Sequence, residues 1–490
     1  MSFRTLVFLL VTLAVLLMAA SSPVVDSDTW WHLRAGTWML EQRQVLRQDP
    51  FSTTRLGEPW VYPGWLAQIS LAAAHQMGGL AAVHLWTGAI LTLTFILVWM
   101  TMDGPLLVRA FVLLLAAATS SVFWSARPHI FSLALTAGMV LLLERFVTKP
   151  TRWIWLSVGL MALWPNLHGA FPTGLLLIGL YLLSVLLDMA LEIWKGACLP
   201  AEAWRRARRP VLTLAACLLV GALALGLNPH GFTLIGYAGK TLSMGVLRDF
   251  IQEWQSPDFH DPRSQLFVLM LMLLLAAFAA TDRRPATREV LLVTTFAAMA
   301  FLAWRNVALF AVVAAPVLSR HAASALGRLP PLSRRSRDLP PELARRLNLG
   351  LAVGWALVAG ILLVRFLQPE RLERSALQAM PAAAVRRIQQ EELPGPLFNS
   401  YNWGAYILWS MYPDYRSFVD GRTDLFDDSI LQEYLQAWRG APGWEALLDD
   451  WQIQTVLVEP LAPLALRLEA AGWENTFTDN LAVVFTRPEG

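Results

Sequence analysis

Apolar runs close to bilayer length recur along most of the chain, at residues 6–20, 81–100, 105–124, 130–147, 153–167, 171–188, 211–228, 265–281, 289–304, 307–319 and 348–367. A helix satisfies its own backbone hydrogen bonds in lipid, so this pattern predicts about eleven transmembrane helices. Between the first two runs, residues 26–76 alternate polar and aromatic positions. They predict an interfacial helix to about Gln44, turns at Asp49–Ser52 and Pro59–Pro63, and a helix from Trp65 to Gln76. After residue 367 the pattern becomes that of a soluble unit. It predicts helices at Leu372–Gln390, Ser429–Trp438 and Pro463–Ala471, and strands at Tyr415–Val419, Thr455–Glu459 and Leu481–Thr486. The expected architecture is a polytopic α-helical membrane protein, residues 1–367, followed by a small extracytoplasmic α/β domain, residues 368–490.

Charge orients this layout. Arg145, Lys149 and Arg152, then Lys195 with Arg205 to Arg209, then Arg283, Arg284 and Arg288, then Arg320 to Arg346 fall in alternate loops. Short basic loops stay in the cytoplasm, which places the N-terminus inside and the C-terminal domain outside the cell membrane. Residues 289–319 lie between two basic loops and must therefore form a hairpin. Its arms, about 15 residues or roughly 23 Å each, fall short of a hydrocarbon core and leave the tip Trp304-Arg305-Asn306 slightly submerged. Arg305 there either snorkels to water or meets an anion. Ala19-Ala20-Ser21-Ser22 offers a signal-cleavage alternative to a retained first span.

Composition agrees with a membrane protein and narrows its chemistry. Hydrophobic residues are 56% and charged residues 15%, with a net charge of +3 and a mean hydropathy of +0.47. The two cysteines, Cys198 and Cys217, fall in a cytoplasmic loop and in a span, which gives no disulfide framework. The chain carries no zinc-type Cys/His spacing, phosphate loop or dinucleotide fingerprint, and its basic clusters read as loop charges rather than a nucleic-acid platform.

The unusual polar residues gather on the outer side of this topology. Directly after the first run comes Asp26-Ser27-Asp28-Thr29-Trp30-Trp31-His32, where the tryptophans would sit at the headgroups as an aromatic belt and hold the two aspartates at a fixed depth. Arg127-Pro128-His129 follows in the second outer loop, Asn166-Leu167-His168-Gly169 in the third, and Asn228-Pro229-His230-Gly231 in the fourth. The fourth continues through Arg248, Asp249 and Glu253-Trp254. The repeated Asn-x-His-Gly reads as a helix stop and suggests two bracing corners. Together the set supplies a base, phosphate ligands and carboxylates for a divalent cation on one membrane face. In the tail, Tyr401-Asn402-Trp403-Gly404-Ala405-Tyr406 suits stacking on a sugar or gripping an acceptor, and Asp420-Gly421-Arg422 reads as a turn.

These features resemble the GT-C superfamily of membrane glycosyltransferases, in particular oligosaccharyltransferase catalytic subunits and protein mannosyltransferases. Asp28 with Asp26 matches the family's acidic motif in the first outer loop, and Arg305 stands where a family arginine meets the lipid phosphate. Tyr401 to Tyr406 occupies the place of the acceptor motif but lacks its Trp-Trp-Asp. Arg127 and His129 stand where oligosaccharyltransferases carry acidic metal ligands. The resemblance implies transfer of a sugar from a polyprenyl-phosphate-linked donor to an extracytoplasmic acceptor, whether protein, lipid or glycan. Asp28 and Asp26 would be catalytic, or would hold Mg or Mn if a cation is used. Arg305, Arg127, His129, His32, His168, His230, Glu253, Tyr401 and Trp403 would bind substrate. A flippase or exporter of lipid-linked glycans and a non-catalytic envelope assembly protein are the alternatives.

Overall fold

The computed structural model describes residues 1–22, 26–243, 245, 251–328 and 340–488. Arg248, Asp249 and the basic stretch 329–339 lie outside the described residues. Each expected apolar run is helical: α1 (Phe3–Ser21), the long α3 (Trp65–Thr101), α4 (Leu106–Ser120), α5 (His129–Thr148), α6 (Leu156–Leu167), α7 (Pro172–Trp194), α8 (Pro200–Ala224), α10 (Pro262–Ala280), α11 (Thr287–Leu302), α12 (Val307–Leu326) and α13 (Pro341–Phe366). Nine spans among the described residues are long and apolar enough to cross a membrane, fewer than the eleven expected. The two that fall short, α6 and α11, hold 12 and 16 residues. They stop at His168 and at the 3-10 turn Trp304–Asn306, where polar residues take over. The hairpin of residues 289–319 is present with Arg305 at its tip.

Two further helices lie outside the spans, α2 (Thr29–Gln42) and α9 (Thr233–Ser243). Helix α2, expected to be interfacial, ends close to the expected position, and its C-cap Arg43 turns left-handed, at φ 52°. The helix expected at Trp65–Gln76 and the span after it form one element, α3, broken at Gly78 and Gly79. Gly79 takes φ 58° there, a conformation that costs glycine nothing and a β-substituted residue about 1–2 kcal/mol. α12 is the most buried span and runs through the bundle centre, whereas α13 packs mainly on α1 and leaves the rest of its surface to lipid. At the ends of α5, α11 and α12 remote from Arg305, Arg320 reaches Glu144 (3.0 Å), Glu289 and Asp103 (3.2 Å), and His321 reaches Glu289. Every member of this network, buried except for Asp103, has a charged partner, so it pins helices together rather than offering a site.

The C-terminal domain carries a four-stranded sheet of order β1-β2-β4-β3, made of β1 (Leu397–Asn399), β2 (Thr455–Val458), β3 (Glu474–Thr478) and β4 (Val483–Thr486). β1 and β2 are parallel, with Phe398 opposite Val456, and the remaining pairs are antiparallel. Helices α14 (Pro369–Leu377), α15 (Ala382–Gln390), α16 (Gly404–Met411), α17 (Thr423–Trp438), α18 (Trp444–Asp450) and α19 (Pro463–Ala470) surround it. The single helix expected at Leu372–Gln390 is split before Pro381, which cannot donate within a helix. The strand expected at Tyr415–Val419 is instead a loop bonded to the first outer segment: the Thr53 N–H donates to Ser417 O at 2.8 Å, and the Thr54 hydroxyl to Phe418 O at 2.7 Å.

That seam is the main departure from the sequence expectation. Trp30 and Trp31, expected at the lipid interface, are each 4% exposed and share a core with the C-terminal domain. Trp30 meets Tyr406 edge-on at 5.4 Å. Arg422, fully buried, reaches back to Asp49 of the first segment as well as to Asp420 at 2.7 Å. The aromatic pair therefore clamps the domain onto the bundle.

Candidate active site

Five segments that are far apart in sequence meet under this clamp. Asp26 opens α2 with an Asx turn: its Oδ1 accepts the N–H groups of Asp28 and Thr29 and the Thr29 hydroxyl, each at 3.1 Å. Its Oδ2 is left 3.3 Å from Arg127 Nη1. Arg127 precedes Pro128, whose missing N–H suits the start of α5. Its guanidinium also lies 3.0 Å from Asp28 and 3.5 Å from Glu253. Glu253 extends its other oxygen to Arg305 at 3.5 Å, and the Arg305 guanidinium lies 4.4 Å over the Trp254 ring. The Trp304 backbone N–H donates to Gln255 O at 2.8 Å and ties these last two segments together.

The corners expected from Asn-x-His-Gly brace each other. Asn228 donates to Pro165 O at 2.9 Å and to Asn166 Oδ1 at 3.2 Å, and Asn166 Oδ1 also accepts the Trp65 indole N–H at 2.8 Å. The first corner delivers His168 to the cavity. There the Ser132 hydroxyl, itself holding the Trp164 N–H, donates to His168 Nδ1 at 2.8 Å. Nδ1 also takes the Ala170 backbone N–H at 3.3 Å, so it is an acceptor and Nε2 carries the proton. His129 Nε2 donates to Phe123 O, and the Gln68 amide donates to His32 Nδ1 at 3.3 Å.

Asp28, His32, Arg127, His129, His168, Glu253 and Arg305 line a cavity of about 690 Å³ together with Trp31, Tyr62 and residues of the C-terminal domain, whereas Asp26, expected to be catalytic, does not line it and acts on it only through Arg127. The cavity's two main carboxylates are in opposite states. Burial pushes the Asp28 carboxyl up to about 7; Arg127 opposes that shift, and Asp26 and Glu253 add to it. Asp28 keeps 18% of its side-chain surface, open to the cavity. Burial acts on Glu253 in the same direction, but Arg127 and Arg305 outweigh it and hold the acid at about 2. Burial, then the nearby arginines, hold His32 and His168 well below the ordinary histidine range, so both are neutral donors. One titrating acid beside a permanent anion and two cations is an arrangement suited to proton abstraction at neutral pH.

If a divalent cation were used, Asp26 and Asp28 would be the residues to hold it, and the residues do not fit one. The point shared by Asp26, Asp28 and Glu253 is filled by the Arg127 guanidinium, and Asp26 Oδ1 is saturated by its turn. No group of three His, Cys, Asp or Glu among the described residues could hold a metal ion.

Not every expected residue reaches the cavity. His230 stays behind the second corner, where Arg47 donates to Pro229 O at 3.4 Å, and it does not line the cavity. Trp403 is turned into the domain core, 3% exposed, with its N–H on Ala379 O at 3.0 Å. Tyr401, two residues earlier, does line it. Three features had no reading as site components. Gly421 abuts Asp28 so closely that a Cβ there would overlap Asp28 Oδ1 and stand 3.2 Å from Trp31 Nε1. Glu459 closes the cavity from the end of β2, and Trp438 from the end of α17. Leu431, Leu435 and Trp438 are spaced to share one helix face, the signal in the sequence that could have flagged the latter.

No family model matches the chain, and no curated protein matches it in sequence. Solved structures do match in fold. The oligosaccharyltransferase AglB from Archaeoglobus fulgidus, in complex with an inhibitory peptide and a dolichol-phosphate, covers 94% of this chain and 70% of its own, with TM-score 0.54 and 11% identity. ArnT from Cupriavidus metallidurans, bound to undecaprenyl phosphate, covers 99% of each chain, with TM-score 0.50 and 15% identity. The chain has the GT-C fold and is a multi-pass membrane protein with a small C-terminal sheet domain.

Proposed function

We propose that this protein is a glycosyltransferase that moves a sugar from a polyprenyl-phosphate-linked donor to an acceptor outside the cytoplasmic membrane, with its N-terminus in the cytoplasm. The observation that carries the reading is Asp28, an aspartate whose proton affinity is moved to neutrality, standing 3.0 Å from Arg127 in a cavity that Arg305 also lines. The polyprenyl phosphates in the AglB and ArnT structures support such a carrier.

In this mechanism Asp28 takes the proton of an acceptor hydroxyl or amine as the acceptor atom bonds to the anomeric carbon. The bond from that carbon to the phosphate oxygen breaks, and its electron pair stays on the phosphate. Arg305, Arg127 and the Nε2–H of His168 neutralise the growing charge. Glu253 holds both guanidiniums in place while remaining ionised. No step needs a metal ion. A flippase or exporter would hold the same lipid-linked glycan but leave the sugar–phosphate bond intact, so sugar release separates the two readings. The test is incubation of purified full-length protein with a panel of radiolabelled polyprenyl-phosphate and polyprenyl-diphosphate sugars together with oligosaccharide, lipid and peptide acceptors. Release of the sugar from at least one lipid is expected, and an intact panel would count against transferase activity.

A further inference from the structure

The cavity has two unlike walls. The loops of the bundle supply its arginines, Arg127 and Arg305, both engaged with Glu253. The C-terminal domain supplies an apolar and aromatic wall instead, built from Leu431, Leu435 and Trp438 on α17. Glu459 stands at the edge of that wall. Its Oε1 accepts the Ser400 hydroxyl at 2.6 Å, and its Oε2 accepts the Trp438 indole N–H at 3.2 Å. Both oxygens are engaged by neutral donors, and each keeps a lone pair for an incoming donor. The two bonds also fix the indole plane against the carboxylate.

A ring with an apolar face and hydroxyls at its rim matches this wall, since the C–H face can lie on the indole while the rim donates to Glu459. An anionic acceptor would be repelled by Glu459. We propose that Trp438, Glu459 and Ser400 form the acceptor subsite, and that the acceptor is a sugar, uncharged or amine-bearing, stacked on Trp438 with its hydroxyls on Glu459. This rests on the transferase reading of the same cavity.

The experiment is saturation-transfer NMR on the detergent-solubilised full chain with four probes: a neutral oligosaccharide, an amino-sugar oligosaccharide, a uronic-acid oligosaccharide and a peptide containing Asn, Ser and Thr. The neutral or amino-sugar probe should bind. Trp438→Ala should weaken it about tenfold or more, and Trp438→Phe, which keeps a ring but loses the N–H, by less. Glu459→Gln should weaken it about tenfold, and Asp28→Asn should leave binding within about twofold, because Asp28 acts on the proton and not on the ring. Preferential binding of the peptide or the uronic acid, or sugar binding indifferent to Trp438 and Glu459, would overturn the subsite. Sugar binding that depends on Trp438 in a preparation that turns over no lipid-linked sugar would retain the subsite and remove the transferase reading. Turnover without such binding would do the reverse.

Discussion

Asp28 and Glu253 carry the same functional group, and the charges around them decide which one can act. Glu253 touches two arginines and stays ionised, whereas Asp28 shares one arginine with two other acids and titrates near neutrality. A base must be ionised to work, so the transfer rate should rise about tenfold per pH unit below about 7 and level off above it. A midpoint near 4 would mean that burial does not raise the acting carboxyl. Gly421→Ala tests the same carboxylate through its neighbour. The added Cβ displaces Asp28, and a misplacement near 1 Å costs about a hundredfold in rate. Donor affinity should hardly change, and an unchanged rate would show that Asp28 tolerates the shift. Because Arg127 fills the space between the carboxylates, EDTA should leave the rate within about twofold; a collapse restored by Mg or Mn would reinstate a metal. The candidate acids, arginines and cavity histidines were legible because ionisable residues beside a bilayer are costly without a use. Gly421 was not, since a close approach to a carboxylate some four hundred positions away leaves no local trace.

At the scale of elements, apolar length identified the helices, and polar punctuation identified most of their ends. The errors cluster where a tertiary partner replaces a local rule. Tyr415–Val419 alternates like a strand yet bonds to the first outer segment, and Trp30 and Trp31 look interfacial yet serve as the clamp on the C-terminal domain. The short β1 and the exposed β3 lack enough alternation to be seen alone. Arg422 holds this seam. Arg422→Met leaves Asp49 and Asp420 buried without a cationic partner, a loss of about 3–5 kcal/mol. The melting temperature should fall by several degrees, and protease should cut earlier between the domain and the bundle. Unaltered melting would show that the aromatic contacts suffice.

For the whole molecule, the sequence pattern conveyed that the polar motifs share one face of a helical bundle, but not that the C-terminal domain closes over them. That closure comes from side chains rather than from periodicity. The placement of the domain outside the cell can be checked with a membrane-impermeant maleimide on intact cells. A cysteine at Leu461, which is 91% exposed, should be labelled, while the native Cys198 between α7 and α8 should react only after permeabilisation. The reverse pattern would invert the topology. The most direct measurement compares Asp28→Asn with the unaltered protein, recording both the rate of sugar transfer and the affinity for the lipid-linked donor. A rate lower by about a hundredfold or more, with donor affinity within about twofold, is the predicted result. Transfer at the unaltered rate would contradict the assignment of this cavity as the place of reaction.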